Sequence, residues 1–77
     1  MKVRIISPDT TLYEGEAKLV QLPGTGGMFE LLDKHATIIA SLKQGTIKLQ
    51  DAEGERRFDI LAGVAKGQQN ELLILTQ

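Results

Sequence analysis

The sequence predicts an all-β domain, a small two-sheet β-sandwich of about nine to ten short strands. Short apolar runs are cut by turn residues roughly every eight to twelve positions, the spacing of all-β chains. Within several runs, apolar and polar residues alternate with the period of a strand that buries one face. The chain has 77 residues, room for a single domain, so this many strands must pack as two sheets or a small barrel.

Lys2 to Ile6 reads as the first strand, with Val3 and Ile5 on one face and Lys2 and Arg4 on the other. Ser7-Pro8-Asp9-Thr10 ends it, because proline removes an amide donor and favours a turn. Thr11 to Glu14 is a short second strand closed by Gly15, and Ala17 to Leu22 a third closed by Pro23-Gly24. Gly24-Thr25-Gly26-Gly27 permits backbone angles closed to other residues and reads as a tight, exposed loop. Met28 to Leu32 resumes as a strand, Asp33-Lys34-His35 turns, and Thr37 to Leu42 follows, where Ile38-Ile39 are too apolar to face water on both sides. Glu30 to Leu42 could also be read as an amphipathic helix. Asp33-Lys34-His35 interrupts that pattern and Thr37-Ile38-Ile39 favours strand. Thr46 to Gln50 alternates with Ile47 and Leu49 inward, and Asp51-Ala52-Glu53-Gly54 is a hairpin tip. Arg56 to Leu61 places Phe58 and Ile60 on the core face, Val64 to Lys66 is a short strand, Gly67 to Asn70 turns, and Leu72 to Leu75 closes the domain.

Composition excludes several classes. An apolar fraction of 42% is that of a globular chain rather than a disordered one. A net charge of −1 lacks the basic footprint of a nucleic-acid binder. Absence of cysteine rules out disulfides and thiolate metal sites, and is compatible with a reducing cytosol. After Met1-Lys2-Val3-Arg4 the apolar run is only Ile5-Ile6, too short for a signal peptide, and no stretch approaches the ~20 apolar residues that cross a bilayer.

The chain offers little for catalysis. One histidine and no cysteine cannot supply the roughly four ligands a zinc site needs. Ser41, His35 and Asp33 can be written as a triad, but any chain of this size would offer one. A phosphate-binding loop needs G-x-x-x-x-G-K-[ST] leading into a helix, whereas Met28-Phe29-Glu30 follows these glycines, so a plain turn is expected. His35 reads either as a turn histidine or as a polar contact to a partner. Of Met28 and Phe29, alternation lets only one point inward, and the other is free to anchor a partner. Arg56-Arg57 beside Glu53 and Glu55 is explained by charge pairing on a solvated face.

In order along the chain, several segments resemble the amino-terminal domain of the ATP synthase epsilon subunit (delta in mitochondria). These are Val3-Arg4-Ile5-Ile6-Ser7-Pro8, Leu12-Tyr13-Glu14-Gly15-Glu16-Ala17, Val20-Gln21-Leu22-Pro23-Gly24, Gly26-Gly27-Met28-Phe29 and His35-Ala36-Thr37. Leu42-Lys43-Gln44-Gly45-Thr46-Ile47-Lys48-Leu49 is similar to a Leu-x-x-Gly-x-Ile strand of that family, Phe58 to Ala65 to a Phe-x-x-x-x-Gly-x strand, and Asn70 to Leu75 to its closing strand. Each piece is short, and their order and spacing over essentially the whole chain make the set specific. Thr37 stands where the family usually has proline, Asp33-Lys34 where Pro-Gly is common, Glu30 where glycine is frequent, and Met28 where an acidic residue is frequent.

The resemblance implies one β-sandwich domain over residues 1–77 in a non-catalytic rotor subunit at the foot of the central stalk. It implies contact with the c-ring through Gly26, Gly27, Met28 and Glu30, and with the gamma subunit through Ser7, His35, Thr37 and Ala40. The remainder of the catalytic head would be reached through gamma, at the cytoplasmic face of a bacterial inner membrane, without direct membrane insertion and without a cofactor. Family members usually continue into a two-helix hairpin that in some bacteria binds ATP or brakes hydrolysis. No such hairpin is expected within these residues, and neither property is carried over. The alternative is a free-standing β-sandwich adaptor for an unrelated protein.

Overall fold

Val3 and Ile5 are fully buried while Lys2 and Arg4 face solvent, so the first strand lies half in the core as its alternation requires. The computed structural model describes residues 1–77 and contains eight strands and no helix. They are β1 (Lys2–Ile6), β2 (Thr11–Gly24), β3 (Gly27–Leu32), β4 (Ile38–Leu42), β5 (Gly45–Asp51), β6 (Gly54–Ile60), β7 (Gly63–Gln68) and β8 (Glu71–Thr76). The all-β sandwich expected from the sequence is present, and Glu30 to Leu42 forms strand, loop and strand.

Two of the expected strands are one. Gly15 does not end a strand but lies inside β2, paired with Val3. Its reason is close approach, not a turn: a Cβ at Gly15 would come 2.8 Å from the Tyr13 hydroxyl, so the tyrosine ring folds back over bare backbone.

The resulting strand of 14 residues is shared between two layers. Its first part pairs with β1, which continues through β8 and β7 to β4. Its second part pairs with β3 on one side and with β5, then β6, on the other. A single strand can serve both layers because its inward parity changes midway. Tyr13 and Ala17 are buried at odd positions, Val20 and Leu22 at even ones. The register with β5 slips at the same place, Ala17 facing Asp51 and Leu19 facing Gln50, which leaves Lys18 as an extra residue. A bulge of this kind bends the strand and inverts the faces beyond it.

The end of β2 closes the structure. Gly24 pairs with Leu42 of β4, flanked by Thr25 N–H to the Ser41 carbonyl at 3.0 Å and Lys43 N–H to the Pro23 carbonyl at 2.9 Å. Because β2 also pairs with β1, the hydrogen-bonded path β1-β8-β7-β4-β2 returns on itself. Inside lies one core in which Val3, Ile5, Val20, Leu22, Ile47, Leu49, Leu72 and Ile74 are at most 1% exposed, with Phe29, Ile38 and Phe58 packed at its margin. Each such aliphatic side chain contributes about 1.5–3 kcal/mol on burial.

Polar groups fix the periphery. The Met1 ammonium donates to the Ala17 carbonyl at 2.8 Å and to the Asp33 carboxylate, tying the start of β1 to the loop after β3. That hydrogen bond is the main cause holding the Asp33 carboxyl below its ordinary range. Gln69 and Asn70 take left-handed φ values of 52° and 57° in the turn between β7 and β8. From there the Asn70 side-chain oxygen accepts from Lys34 N–H at 2.6 Å. Lys34 itself has φ 62°, a left-handed backbone that a glycine would adopt without steric cost.

Tyr13 clamps the tip of the β5–β6 hairpin to β2. Its hydroxyl donates to Asp51 Oδ2 at 2.9 Å, its ring lies 5.8 Å from that of Phe58, and the Arg56 guanidinium sits 5.4 Å above it. Burial, with the bond to Asp51 second, pushes the phenol from 10.0 up to about 12, and the same bond lowers the Asp51 carboxyl.

Deleting Lys18 should remove cooperative urea unfolding, because one half of β2 must then turn its apolar face outward, whereas Lys18→Ala should stay within about 0.5 kcal/mol of wild type. The raised phenol and lowered carboxyl have opposite linkage signs. The phenol's contribution is complete below pH 10 and declines as pH rises from 10 towards 12. The carboxylate's is complete above the ordinary carboxylate range and declines as pH falls through the lowered value. Urea midpoints across pH should therefore show Tyr13→Phe losing the alkaline decline and part of the acid one.

Candidate functional site

The residues singled out in the sequence fall on two regions of the surface. The first is the β2–β3 hairpin. Thr25 and Gly26 form its two-residue tip, Gly27 follows with φ 130°, and the bond from Thr25 to Ser41 holds the tip against β4. Beyond it Phe29 and Leu31 turn to the core, while Met28, Glu30 and Leu32 face out. The choice left open between Met28 and Phe29 is thus resolved, with Met28 55% exposed. Gly26, Gly27, Met28 and Glu30 lie together on one tip and its outer flank. Between this tip and β4 runs a groove of about 480 Å³, lined by Gly24 to Phe29 and Ile39 to Ser41.

The second set is not one patch. Ladder pairing aligns Ser41, Val64, Leu75 and Ile6 in one row across the sheet, and Ile38, Gly67, Leu72 and Val3 in another. Ser7 follows the first row, in a turn closed by its amide and hydroxyl on the Thr10 carbonyl at 2.8 and 3.1 Å. His35 and Thr37 precede the second row, three residues away, which is about 10 Å along the strands. Ala40 lies between the rows and shares the inward-facing parity of Ile38 and Leu42. Ser7 therefore shares an end of the sheet with the closure at Gly24 and Leu42, away from His35 and Thr37. The nominal triad is separated in the same way. Asp33 is held by Met1 at the His35 end, while Ser41 sits in the other row.

His35 is half-buried in a defined seat. Its ring packs on Gly67, where an added Cβ would come 2.6 Å from His35 Cε1. Nδ1 lies 2.8 Å from the Ala36 carbonyl, and Nε2 is buried without a hydrogen-bond partner.

Sequence reasoning missed the outer face of β4, β7, β8 and β1. Ile39 is 75% exposed, Val64 45% and Leu75 50%, with half-buried Leu73 and Ile6 beside them. Ile38-Ile39 do not face water on both sides, as expected: Ile38 packs on the core, and alternation turns Ile39 to solvent. The doubly apolar runs at Ile38-Ile39 and Leu72 to Leu75 were the available signal.

Comparison with known proteins decides what this sandwich is. The family model for the ATP synthase delta/epsilon chain β-sandwich domain matches residues 1–77. The chain belongs to that family. An ATP synthase epsilon chain of Campylobacter jejuni is 38% identical over 74 residues, covering 95% of this chain and 57% of the relative. One from Leptospira interrogans is 33% identical over 76 residues, covering 99% and 60%. The chain thus spans under two thirds of the length of these family members. Among solved structures, a chain in the central stalk/c-ring structure of Tetrahymena thermophila mitochondrial ATP synthase superposes with TM-score 0.83 at 12% identity, covering 99% of this chain and 62% of that one. One from the OSCP/F1/c-ring structure of the Euglena gracilis mitochondrial enzyme gives 0.88 at 16%, covering 96% and 48%. At these identities the superpositions establish the family's fold in this chain.

Gly67→Ala should lower stability by about 1–3 kcal/mol, since the methyl must displace an imidazole seated on backbone. Pairing it with His35→Ala in a double-mutant cycle should recover part of that loss. Full additivity would mean that the imidazole is not what the methyl strikes.

Proposed function

We propose that this chain forms the β-sandwich part of a non-catalytic rotor subunit in the central stalk of an ion-translocating ATP synthase. It binds the gamma subunit and the c-ring, and helps couple ion-driven rotation to ATP synthesis on other subunits. The observation that carries this reading is the family match over the whole chain, residues 1–77. Epsilon-chain relatives, and neighbours in mitochondrial ATP synthase structures that include the c-ring, support it. On this reading the protein is peripheral to the membrane, at the cytoplasmic face in a bacterium. No helix here is long and apolar enough to cross a bilayer.

The hairpin tip with Gly26, Gly27, Met28 and Glu30 is the proposed c-ring contact. Its projecting glycines and exposed methionine suit docking against loops of a ring. Ser7, His35, Thr37 and Ala40 are the proposed gamma contacts. Because Ser7 borders one end of the sheet and His35 and Thr37 the other, with half-buried Ala40 between them, gamma would have to span that sheet, and the exposed apolar outer face supports such a span. The mechanism is mechanical: a closed, densely packed core passes torque between ring and stalk with little deformation.

Tagged protein should recover gamma, alpha, beta and c subunits from detergent-solubilised membranes of its source cells, identified by mass spectrometry. Thr37→Glu, at an exposed position, should weaken recovery of gamma without unfolding the domain. A folded domain that recovers none of these subunits would replace the rotor reading with that of a free-standing adaptor.

A further inference from the structure

The two outermost strands of the β3-β2-β5-β6 layer leave their edges in different states. In an antiparallel strand the N–H and C=O of one residue point the same way, and the direction alternates along the chain. Pro23 and Thr25 aim at β4, as their bonds to Lys43 and Ser41 show. Leu22 and Gly24 therefore aim at β3 and pair with Phe29 and Gly27. Met28, Glu30 and Leu32 are left with their main-chain groups on the far edge, where β3 has no neighbouring strand. None of the seven main-chain hydrogen bonds outside the ladders involves these three residues.

The same alternation carried through β5 leaves Glu55, Arg57 and Asp59 on the free edge of β6. All three are charged, the usual protection of an edge against another strand. On β3 the corresponding residues are two large apolar side chains, 55% and 58% exposed, around one carboxylate. Glu30 makes no ion pair within the chain.

We propose that the free edge of β3 receives an extended segment of a partner protein, bonded main chain to main chain, with a cationic side chain opposite Glu30 between two apolar ones. A second copy of this chain is a poor occupant. Antiparallel pairing of β3 with itself, Met28 opposite Leu32, sets Glu30 against Glu30, and like charges directly opposed are destabilising. That the partner belongs to the rotor rests on the function proposed above. The mode of binding rests on the edge itself.

The test is hydrogen exchange on the domain alone and in assembled ATP synthase, together with Glu30→Pro. Proline removes only an outward N–H at this position, so the β2–β3 ladder should survive. Protection of the Met28, Glu30 and Leu32 amides should rise at least about tenfold on assembly, and Glu30→Pro should weaken assembly at least about tenfold at unchanged melting temperature. Arg57→Pro, at the equivalent position of β6, should leave assembly as it is. Assembly with unchanged exchange at those amides overturns the proposal and leaves the rotor reading standing. A domain that binds no rotor subunit overturns both, and a β3-paired homodimer overturns the choice of occupant.

Discussion

The bulge at Lys18 is the constraint on which the rest of the fold depends. A 14-residue strand with unbroken alternation would bury one parity throughout, and here the buried residues change parity between Ala17 and Val20. One inserted residue turns two otherwise separate layers into a continuous hydrogen-bonded surface around a single core. Closure at Gly24 and Leu42, the Tyr13 clamp on Asp51, and the position of the β2–β3 hairpin all follow from the direction in which β2 leaves that bend.

This arrangement explains how a small chain supports several exposed apolar residues. A short domain has little surplus core, so burying Ile39, Val64 or Leu75 would have to come at the expense of residues already inside. Alternation instead sends them to the outer face, where a partner can cover them. The β2–β3 hairpin is held differently: its tip is fastened to β4 by main-chain bonds, so Met28 projects from a fixed ribbon and not from a free loop.

Much of the fold was legible from local pattern. Val3 with Ile5, and Ile47 with Leu49, announced their buried faces by alternation, and the turns after Ile6 and Asp51 announced themselves by composition. What pattern could not show was tertiary. Gly15 looks like a strand end unless the Tyr13 ring above it is known, and nothing local marks Lys18 as an extra residue. The proposed contact regions, the hairpin tip and the surroundings of His35, came from family resemblance and not from local pattern. That resemblance could not reveal that Ser7 and His35 lie at opposite ends of a sheet, because the distance is set by the pairing of β1, β8, β7 and β4. Nor could it distinguish the edges of β3 and β6, since a free edge is defined by a strand that is not there.

The parallel pairing of β1 with β8 has a kinetic consequence. Val3 sits opposite Leu72, so almost the whole chain lies between two strands that must be neighbours. Contacts of such long sequence separation form late and slow folding, because loop-closure entropy is lost before they stabilise anything. During synthesis β1 emerges well before β8 and waits for it before one of its two ladders can form, and its apolar residues stay partly uncovered meanwhile. Lys2 and Arg4 face outward in the folded domain, and charges set beside apolar residues in this way disfavour mispairing of an unpaired strand.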